Sequence, residues 1–247
     1  MFCIEVTGDY ACFTRPEMKV ERVSYDVITP SAARAIFDAI LWKPAIRWQI
    51  TRIEVCNPIR WISIRRNEVG AVVPVGSVKP AMKSGRGDLG LHIEDARQQR
   101  AGLFLRDVRY RLHARFERVG AATHKPNYTH LVGKLDDTSD PDGAHGPESD
   151  AKYAAMFERR ARKGQCFNQP YLGTREFSCS FRLVDPISEP FEAPTELRSE
   201  QKDLGWMLYD MDFGPPPHGD PKPLFFRAHL IDGAIALPAR DSEEVRR

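Results

Sequence analysis

The stretch Ser149–Phe181 reads SDAKYAAMFERRARKGQCFNQPYLGTREFSCSF and contains, in order, a short amphipathic helix, a cationic cluster, a loop and a strand. Ser149 is a suitable N-cap, because its side-chain oxygen can accept a hydrogen bond from a free amide of the first turn. Gly164 is suited to the left-handed conformation that ends many helices. Between them, four apolar residues share one helical face: Tyr153, Met156, Phe157 and Ala161. We interpret this stretch as the functional site, around which the rest of the chain is organised.

The cationic cluster at the end of this helix consists of Arg159, Arg160, Arg162 and Lys163. Such runs are often only a solvated helix face, and the sequence leaves that interpretation open. The following loop contains amide side chains, Tyr171 and Arg175, a composition suited to phosphates, base edges and one stacked ring. Alternating apolar and polar residues over 177–183 then predict a strand that would hold the loop rigidly. The cluster and Arg175 are therefore candidate RNA-binding residues.

Length and composition indicate a globular protein with a local basic region. The 247 residues are enough for one large domain, or for one domain with a small appendage, and 42% of them are hydrophobic. The net charge of +2 averages unlike segments, because Arg97–Arg118 holds seven arginines and two acids, whereas Lys134–Asp150 holds six acids and one lysine. This local basicity favours a nucleic-acid-binding surface.

The cysteine and acidic residues give no indication of a bound metal. Five scattered cysteines without CxxC spacing indicate neither a disulfide framework nor a zinc site, and the acidic segment lacks calcium-loop spacing. We therefore expect no metal or cofactor, and a reducing cytoplasm as the location. No apolar run reaches membrane-spanning length, and the N-terminus alternates like a strand instead of resembling a signal peptide. We expect neither export nor a membrane partner.

The elements before the site begin with alternation over residues 2–6, which predicts a first strand. Thr29 as N-cap and Pro30 at the first helical position predict a helix. A strand follows at 46–55, and its alternation changes phase near Thr51, as a bulge would cause.

Residues 108–116 give the clearest strand pattern, with five apolar residues on one face. The other face carries a cationic row that consists of Arg109, Arg111, His113 and Arg115. The row is either an RNA-binding surface or a solvated face whose charges are paired with acids on neighbouring strands. We take these four residues as candidate RNA-binding residues.

The order strand, helix, strand, loop, strand, helix, strand predicts a βαββαβ domain of the ferredoxin-like type, which RNA-recognition domains share. Within this domain, about residues 70–102 are expected to form a projecting hairpin or mobile loop, and 120–149 a flexible tether. Two later apolar segments predict a small antiparallel β-sheet domain. The predicted class is α+β, with domains at 1–187 and 188–247.

Seven motifs spread over nearly the whole chain carry a resemblance: GDYACFTRPE (Gly8–Glu17), SYDV (Ser24–Val27), WKP (Trp42–Pro44), RRNEV (Arg65–Val69), the block from RRARKGQ to GTREF (Arg159–Phe177), DLGWMLYDMDF (Asp203–Phe213) and PLFFRAHLIDG (Pro223–Gly233). In this combination the chain closely resembles the CRISPR-associated proteins of the fifth Cas family, in the subtype I-C (Dvulg) branch. Members of this branch are Cascade subunits that cut precursor CRISPR RNA.

The resemblance implies a metal-independent endoribonuclease, in which a ribose 2′-hydroxyl attacks the adjacent phosphodiester and leaves a 2′,3′-cyclic phosphate. A tyrosine, a lysine and a histidine assist in the family. Carried over by position, the lysine is Lys152, which would stabilise the charge that develops on the phosphoryl oxygens. Tyr153 stands at the histidine position and Leu41 at the tyrosine position. We take Lys152 and Tyr153 as the candidate catalytic residues.

The role of Tyr153 has alternatives, because a phenol with a pKa of about 10 is a poor base at neutral pH. Tyr153 also fits a purely structural role on the apolar face of its helix. The base would then be another residue, for which the sequence offers four histidines: His113, His124, His130 and His145.

Two hypotheses for the function follow from the resemblance. In the first, the protein binds the stem-loop of the CRISPR repeat, cleaves at its 3′ base, and keeps the 5′ handle as a subunit of the surveillance complex. Its partners are then the precursor RNA and the other Cascade subunits of subtype I-C. In the second, it is a catalytically weak or inactive RNA-binding assembly subunit of the same complex. Binding of double-stranded DNA through the cationic row would be a side property.

Overall fold

The computed structural model describes residues 1–87, 89–119, 149–213 and 220–247, and within these ranges an antiparallel sheet dominates a mixed α/β structure. The strands are β1 (Phe2–Ala11), β2 (Ile46–Val55), β3 (Arg60–Val69), β4 (Arg97–Arg118), β5 (Ser180–Val184), β6 (Gln201–Asp212), β7 (Lys222–Ile231) and β8 (Ala234–Ala236). The helices are α1 (Pro30–Ile40), α2 (Val75–Ser84), α3 (Ile93–Ala96) and α4 (Asp150–Arg162), and a 3₁₀ turn covers Thr195–Leu197.

The strand order in the sheet is β5-β1-β4-β2-β8-β7-β6, and β3 pairs with β4 outside this row. The long strand β4 has two parts, because its first half pairs with β3 and its second half lies between β1 and β2. Asp107, with a φ of +54°, lies between the two halves. The strand predicted at 108–116 is confirmed. β3 and the first part of β4 pair as a hairpin, and residues 70–96 at its tip contain α2 and α3, two helices that the sequence did not predict.

Several local predictions are confirmed. The side chain of Thr29 accepts from the amide of Ala32 at 3.3 Å, and Pro30 begins α1. In α4, the Ser149 side chain accepts from the amide of Lys152 at 3.2 Å. The register of β2 against β4 shifts just after Ile50, next to the predicted bulge. These features follow from capping and from the twofold period of strands, which act over a few residues.

The core lies between the sheet and the helices α1 and α4. Phe37 of α1 stacks on Phe157 of α4 with 5.4 Å between ring centroids, and Trp48 of β2 lies 4.7 Å from Phe157. All three side chains are buried. This aromatic group fixes the position of α4, and therefore of the predicted site, against the sheet.

The C-terminal strands continue the same sheet. β8 pairs with β2, with Arg52 opposite Ala236 and Ile53 opposite Ile235, and β7 and β6 follow. The antiparallel pairing expected of this region is confirmed, and the division at 187/188 stays a prediction. The tether expected at 120–149 lies, apart from residue 149, outside the described residues. In the described ranges, no helix is long and apolar enough to cross a membrane.

Candidate functional site

The first turn of α4 lies at the carboxyl end of β4. The carboxylate of Asp150 is 3.9 Å from the guanidinium of Arg118, the last residue of β4. Lys152 follows in the same turn and is partly exposed. The positive end of the helix dipole and the Lys152 ammonium therefore belong to the same turn, an arrangement that favours an anionic ligand.

Tyr153 lies in the core. Its ring is 3% exposed and meets the ring of Phe116 edge-on at 6.4 Å. Leu41, at the position where the resemblance expects a tyrosine, is fully buried, and its carbonyl accepts from the indole N–H of Trp48 at 2.8 Å. The burial of Tyr153 favours the structural role over the role of a base. The catalytic assignment of Lys152 and Tyr153 stays a prediction.

The cationic row on β4 lies among acids of the neighbouring strands. Arg182 of β5, Glu5 of β1, Arg111 of β4 and Glu54 of β2 are opposite one another across four strands, so that the charge alternates. Arg111 donates to Glu5 at 3.3 Å and to the carbonyl of Glu189 at 2.7 Å. Arg109 and Arg182 also donate to Glu5, at 2.9 and 3.0 Å.

Glu5 is the centre of this network. Burial by itself would raise the pKa of Glu5, but the hydrogen bonds from Arg109 and Arg182 outweigh it and hold the pKa below its ordinary value. Sequence reasoning did not identify Glu5 or Arg182 as functional residues. The signal was available, because Glu5 and Arg182 stand on the polar faces of their alternating strands.

His113 also pairs with an acid, which lies on the neighbouring strand β2. Its Nε2 lies 3.1 Å from the carboxylate of Glu54 and 3.7 Å from the thiol of Cys3. Burial opposes ionisation of Glu54, but His113 and then Arg52 lower its pKa below the ordinary value. Of the histidines proposed as alternative bases, His113 is buried in this network, and the other three lie outside the described residues.

The alternation on β4 placed all four residues of the row on one polar face, but they are not equally exposed. Arg111 and His113 are buried, whereas the side chains of Arg109 and Arg115 are 42% and 53% exposed. The reason is that a chain segment crosses this face, since the carbonyl of Glu189 accepts from Arg111. The pairing with neighbouring acids that the sequence left open is present. Whether the four residues bind RNA stays a prediction.

The cationic cluster on α4 also divides into structural and exposed members. The guanidinium of Arg160 donates to the carbonyl of Ile40 at 2.9 Å and thereby caps the end of α1. Arg162 is 66% exposed and pairs with Glu158 at 3.2 Å, one helical turn earlier. Lys163 is exposed at the end of the helix, and Arg159 is partly exposed.

The loop between α4 and β5 is fixed to the end of β1. The amide of Cys12 donates to the carbonyl of Leu172 at 3.0 Å. Gly173 has a φ of +85°, and a Cβ there would collide with the carbonyl of Cys12. Glycine is therefore required at this position. Arg175 is exposed in the loop beyond it, and the strand predicted over 177–183 is present as β5, at Ser180–Val184.

A further charged cluster, which sequence reasoning missed, lies near the tip of the β3/β4 hairpin. It consists of Arg22, Arg66, Glu68, Arg100 and Glu176. Two of the motifs singled out above, RRNEV and GTREF, contribute to it, but their proximity depends on the fold. Within the described ranges, no group of three or more His, Cys, Asp or Glu side chains is placed to hold a metal ion.

Comparison with known proteins gives full-length matches. The Cas_Cas5d model of the family described as CRISPR-associated protein (Cas_Cas5) matches residues 1–238. A Mannheimia succiniciproducens protein named CRISPR pre-crRNA endoribonuclease Cas5d is 48% identical over 246 residues, which cover 99% of this chain and 97% of that protein. A Thermus thermophilus protein of the same name is 37% identical over 259 residues, covering 99% and 94%.

The fold is also found among solved structures. One described as Crystal Structure of CRISPR-associated Protein aligns with a TM-score of 0.62 at 23% identity, covering 100% of this chain and 96% of that one. At this identity, the likeness shows the fold alone.

Proposed function

Because the chain belongs to the Cas5d family of CRISPR-associated proteins, we propose that it is an endoribonuclease that processes precursor CRISPR RNA. The observation that carries this conclusion is the match to a relative named for this activity, which is 48% identical over 99% of the chain. Such coverage extends over the helix, the loop and the strand that form the candidate site.

The proposed reaction is attack of a ribose 2′-hydroxyl on the adjacent phosphodiester, without a metal ion. The 2′-oxygen–phosphorus bond forms, the bond to the 5′-oxygen of the next nucleotide breaks, and the products are a 2′,3′-cyclic phosphate and a 5′-hydroxyl, with the proton of the 2′-hydroxyl passing through a base to that oxygen. The transition state places extra negative charge on the phosphoryl oxygens. Lys152 and the positive end of α4 would stabilise this charge, since both lie in one turn and the lysine is partly exposed. Tyr153 is 3% exposed and would stabilise this turn by packing against Phe116 of the sheet.

RNA binding is proposed for the exposed cations on the same elements. The side chains in question are at least partly exposed and would contact phosphates: Arg109 and Arg115 on β4, Arg162 and Lys163 on α4, and Arg175 on the loop. The less exposed members of the predicted set would hold these elements in place: Arg111, His113, Arg159 and Arg160. The protein would keep the 5′ handle of its product and assemble with the other subunits of a Cascade-type surveillance complex. Binding of double-stranded DNA through the same cations would be a secondary property.

We further propose that β1, α1, β2, β4, α4 and β5 form a ferredoxin-like unit. The order β5-β1-β4-β2 and the helices that follow β1 and β4 support this assignment. The hairpin of β3 and β4 then extends from this unit. The location in the cytoplasm stays a prediction.

A second candidate function is a catalytically weak or inactive RNA-binding subunit. The observation that favours it is the burial of Leu41 and Tyr153 at two of the three positions where the resemblance expects catalytic side chains. With a phenol and an aliphatic side chain in the core, the base would have to come from elsewhere.

The deciding experiment is incubation of the purified protein with its cognate repeat RNA in the presence of EDTA. We expect one cut and a product that ends in a 2′,3′-cyclic phosphate. RNA with a 2′-deoxy substitution at the nucleotide that carries the attacking hydroxyl is the matched control and should remain intact. Cleavage of this control would exclude attack by the 2′-hydroxyl, and loss of cleavage in EDTA would exclude the metal-free reaction. Binding without cleavage of either RNA would support the second candidate.

A further inference from the structure

A cleft of about 450 Å³ opens at the end of the β3/β4 hairpin that adjoins α3, where three segments of the chain meet. Arg22 comes from the connection between β1 and α1, Arg66 and Glu68 come from β3, and Glu176 comes from the loop before β5. The connection is fixed to β4, because the amide of Leu103 donates to the carbonyl of Arg22 at 2.8 Å. The proposed reaction gives none of these side chains a role.

Glu68 is the fixed carboxylate of the cleft. It lies 2.9 Å from Arg66, 3.8 Å from Arg22 and 3.5 Å from Arg100, and its side chain is only 19% exposed. It therefore holds all three guanidinium groups together. With Glu176 included, three arginines face two carboxylates, so that the cluster carries one excess positive charge.

Glu176 is the more exposed carboxylate of the cleft. Its side chain is 41% exposed, and the carboxylate pairs with Arg66 and lies 3.6 Å from Arg22. Two guanidinium groups that converge on one carboxylate can also hold a phosphate, because both anions present oxygens at matching spacing. An ion pair this exposed contributes little to stability, so its replacement by a second anion costs little.

Arg66 is held in position without Glu176. Its guanidinium lies over the ring of Phe104, 4.9 Å from the centroid, and Phe104 is buried against Phe177 with 5.5 Å between the ring centroids. The stacking fixes the planar group, which would keep its orientation toward the cleft if Glu176 moved away. A preorganised cation of this kind binds an anion with a smaller entropic cost.

We propose that this cleft is a second phosphate-binding site for RNA, in which a phosphodiester displaces the Glu176 carboxylate from Arg22 and Arg66. The inference rests on the proposed function, since the ligand is the RNA bound at the candidate site. Lys152 lies at the carboxyl end of β4, whereas Arg100 and the cleft lie near its amino end. The cleft would therefore bind a part of the RNA remote from the cleaved bond, and Glu176 would compete with that part of the RNA.

The test compares the affinity for repeat RNA of Glu176→Gln with that of Glu243→Gln, which makes the same charge change on the exposed C-terminal segment. Glu176→Gln should bind about fivefold more tightly than wild type, because the competing anion is lost. Its affinity should also fall more steeply with salt, since one more phosphate contact releases a counterion. Glu243→Gln should leave both quantities near their wild-type values.

Arg66→Ala should weaken binding by about tenfold and remove the effect of Glu176→Gln in the double variant. If Arg66→Ala does not fold, Arg22→Ala gives the same test. Arg22 lies farther from Glu68 and Glu176, at 3.8 and 3.6 Å, so its removal should cost less stability. An unchanged or weaker affinity of Glu176→Gln relative to Glu243→Gln would overturn the inference and make the cluster a structural link. Failure of the wild-type protein to bind repeat RNA would instead contradict the proposed function.

Discussion

The ring of Tyr153 on α4 meets the ring of Phe116 on β4 edge-on, with 6.4 Å between the centroids and 3% of the tyrosine exposed. A side chain in this position stabilises the turn that carries Lys152 but does not reach solvent. The residue next to the candidate catalytic lysine is therefore part of the core.

We expect Tyr153→His to lower the free energy of unfolding by roughly 1 to 3 kcal/mol without a gain in rate, because it buries a polar ring in an apolar site. Thermal melts and single-turnover cleavage across a pH series measure the two effects. Tyr153→Phe is the matched control and should keep the packing and the rate. A faster reaction with an optimum that moves toward pH 7 would show instead that this position serves as a base.

Lys152→Ala should reduce single-turnover cleavage by on the order of a hundredfold, while the Kd for RNA changes far less. The reason is that one cation aimed at the developing charge acts mainly in the transition state. Lys152→Arg keeps the charge and should retain part of the rate. Equal losses in cleavage and in affinity would make Lys152 a docking residue.

Replacement by alanine should mainly reduce stability at Arg160 and mainly reduce RNA affinity at Arg162. Arg160→Ala removes the cap on the carbonyl of Ile40 and should lower the free energy of unfolding by about 1 to 2 kcal/mol. Arg162→Ala should leave stability unchanged, because its pair with Glu158 is exposed, but should weaken RNA binding and flatten its salt dependence. Thermal melts of the two variants measure stability, and salt titrations measure the salt dependence of RNA affinity. If that dependence is unchanged in Arg162→Ala, Arg162 belongs to a solvated helix face and does not contact RNA.

Glu5→Gln should destabilise the protein at pH 7 by about 3 kcal/mol, since it leaves three guanidinium groups around a neutral amide. The pKa of Glu5 is lowered from 4.5 in the folded protein, so the stability that it contributes is present above that value and is lost as the pH falls through the folded pKa. The difference between wild type and Glu5→Gln in chemical denaturation should therefore be largest near neutrality and shrink below about pH 4. A difference that stays constant with pH would mean that Glu5 acts through packing and not through its charge.

Local features of the fold could be predicted because their causes lie within a few residues. Thr29 and Ser149 cap their helices through their own side chains, and the bulge beside Thr51 follows from a change of phase in the alternation. The strand 108–116 was clear for the same reason, since its period is two.

The candidate site could be predicted only in part. Lys152, Arg162, Lys163 and Arg175 are partly or fully exposed, as a binding role requires. The predicted exposure of Arg111 was wrong, because alternation assigns a residue to a face of the sheet but does not reveal that another segment covers that face. The carbonyl that covers Arg111 belongs to Glu189, 78 residues later in the chain.

Periodicity, capping residues and motifs lie along the chain, so the sequence was sufficient to predict β1, β2, the second half of β4, the helices α1 and α4, and the family. It did not predict α2, α3 or β3. Which charges pair within the protein depends on the tertiary structure. Glu5 meets Arg111 and Arg182, and Arg66 meets Glu176, because the register of the sheet and the path of the loops bring together residues more than a hundred positions apart. A charged residue looks the same in the sequence whether its side chain is paired or exposed. Its surroundings in the fold set whether it stabilises the protein or remains available for a ligand.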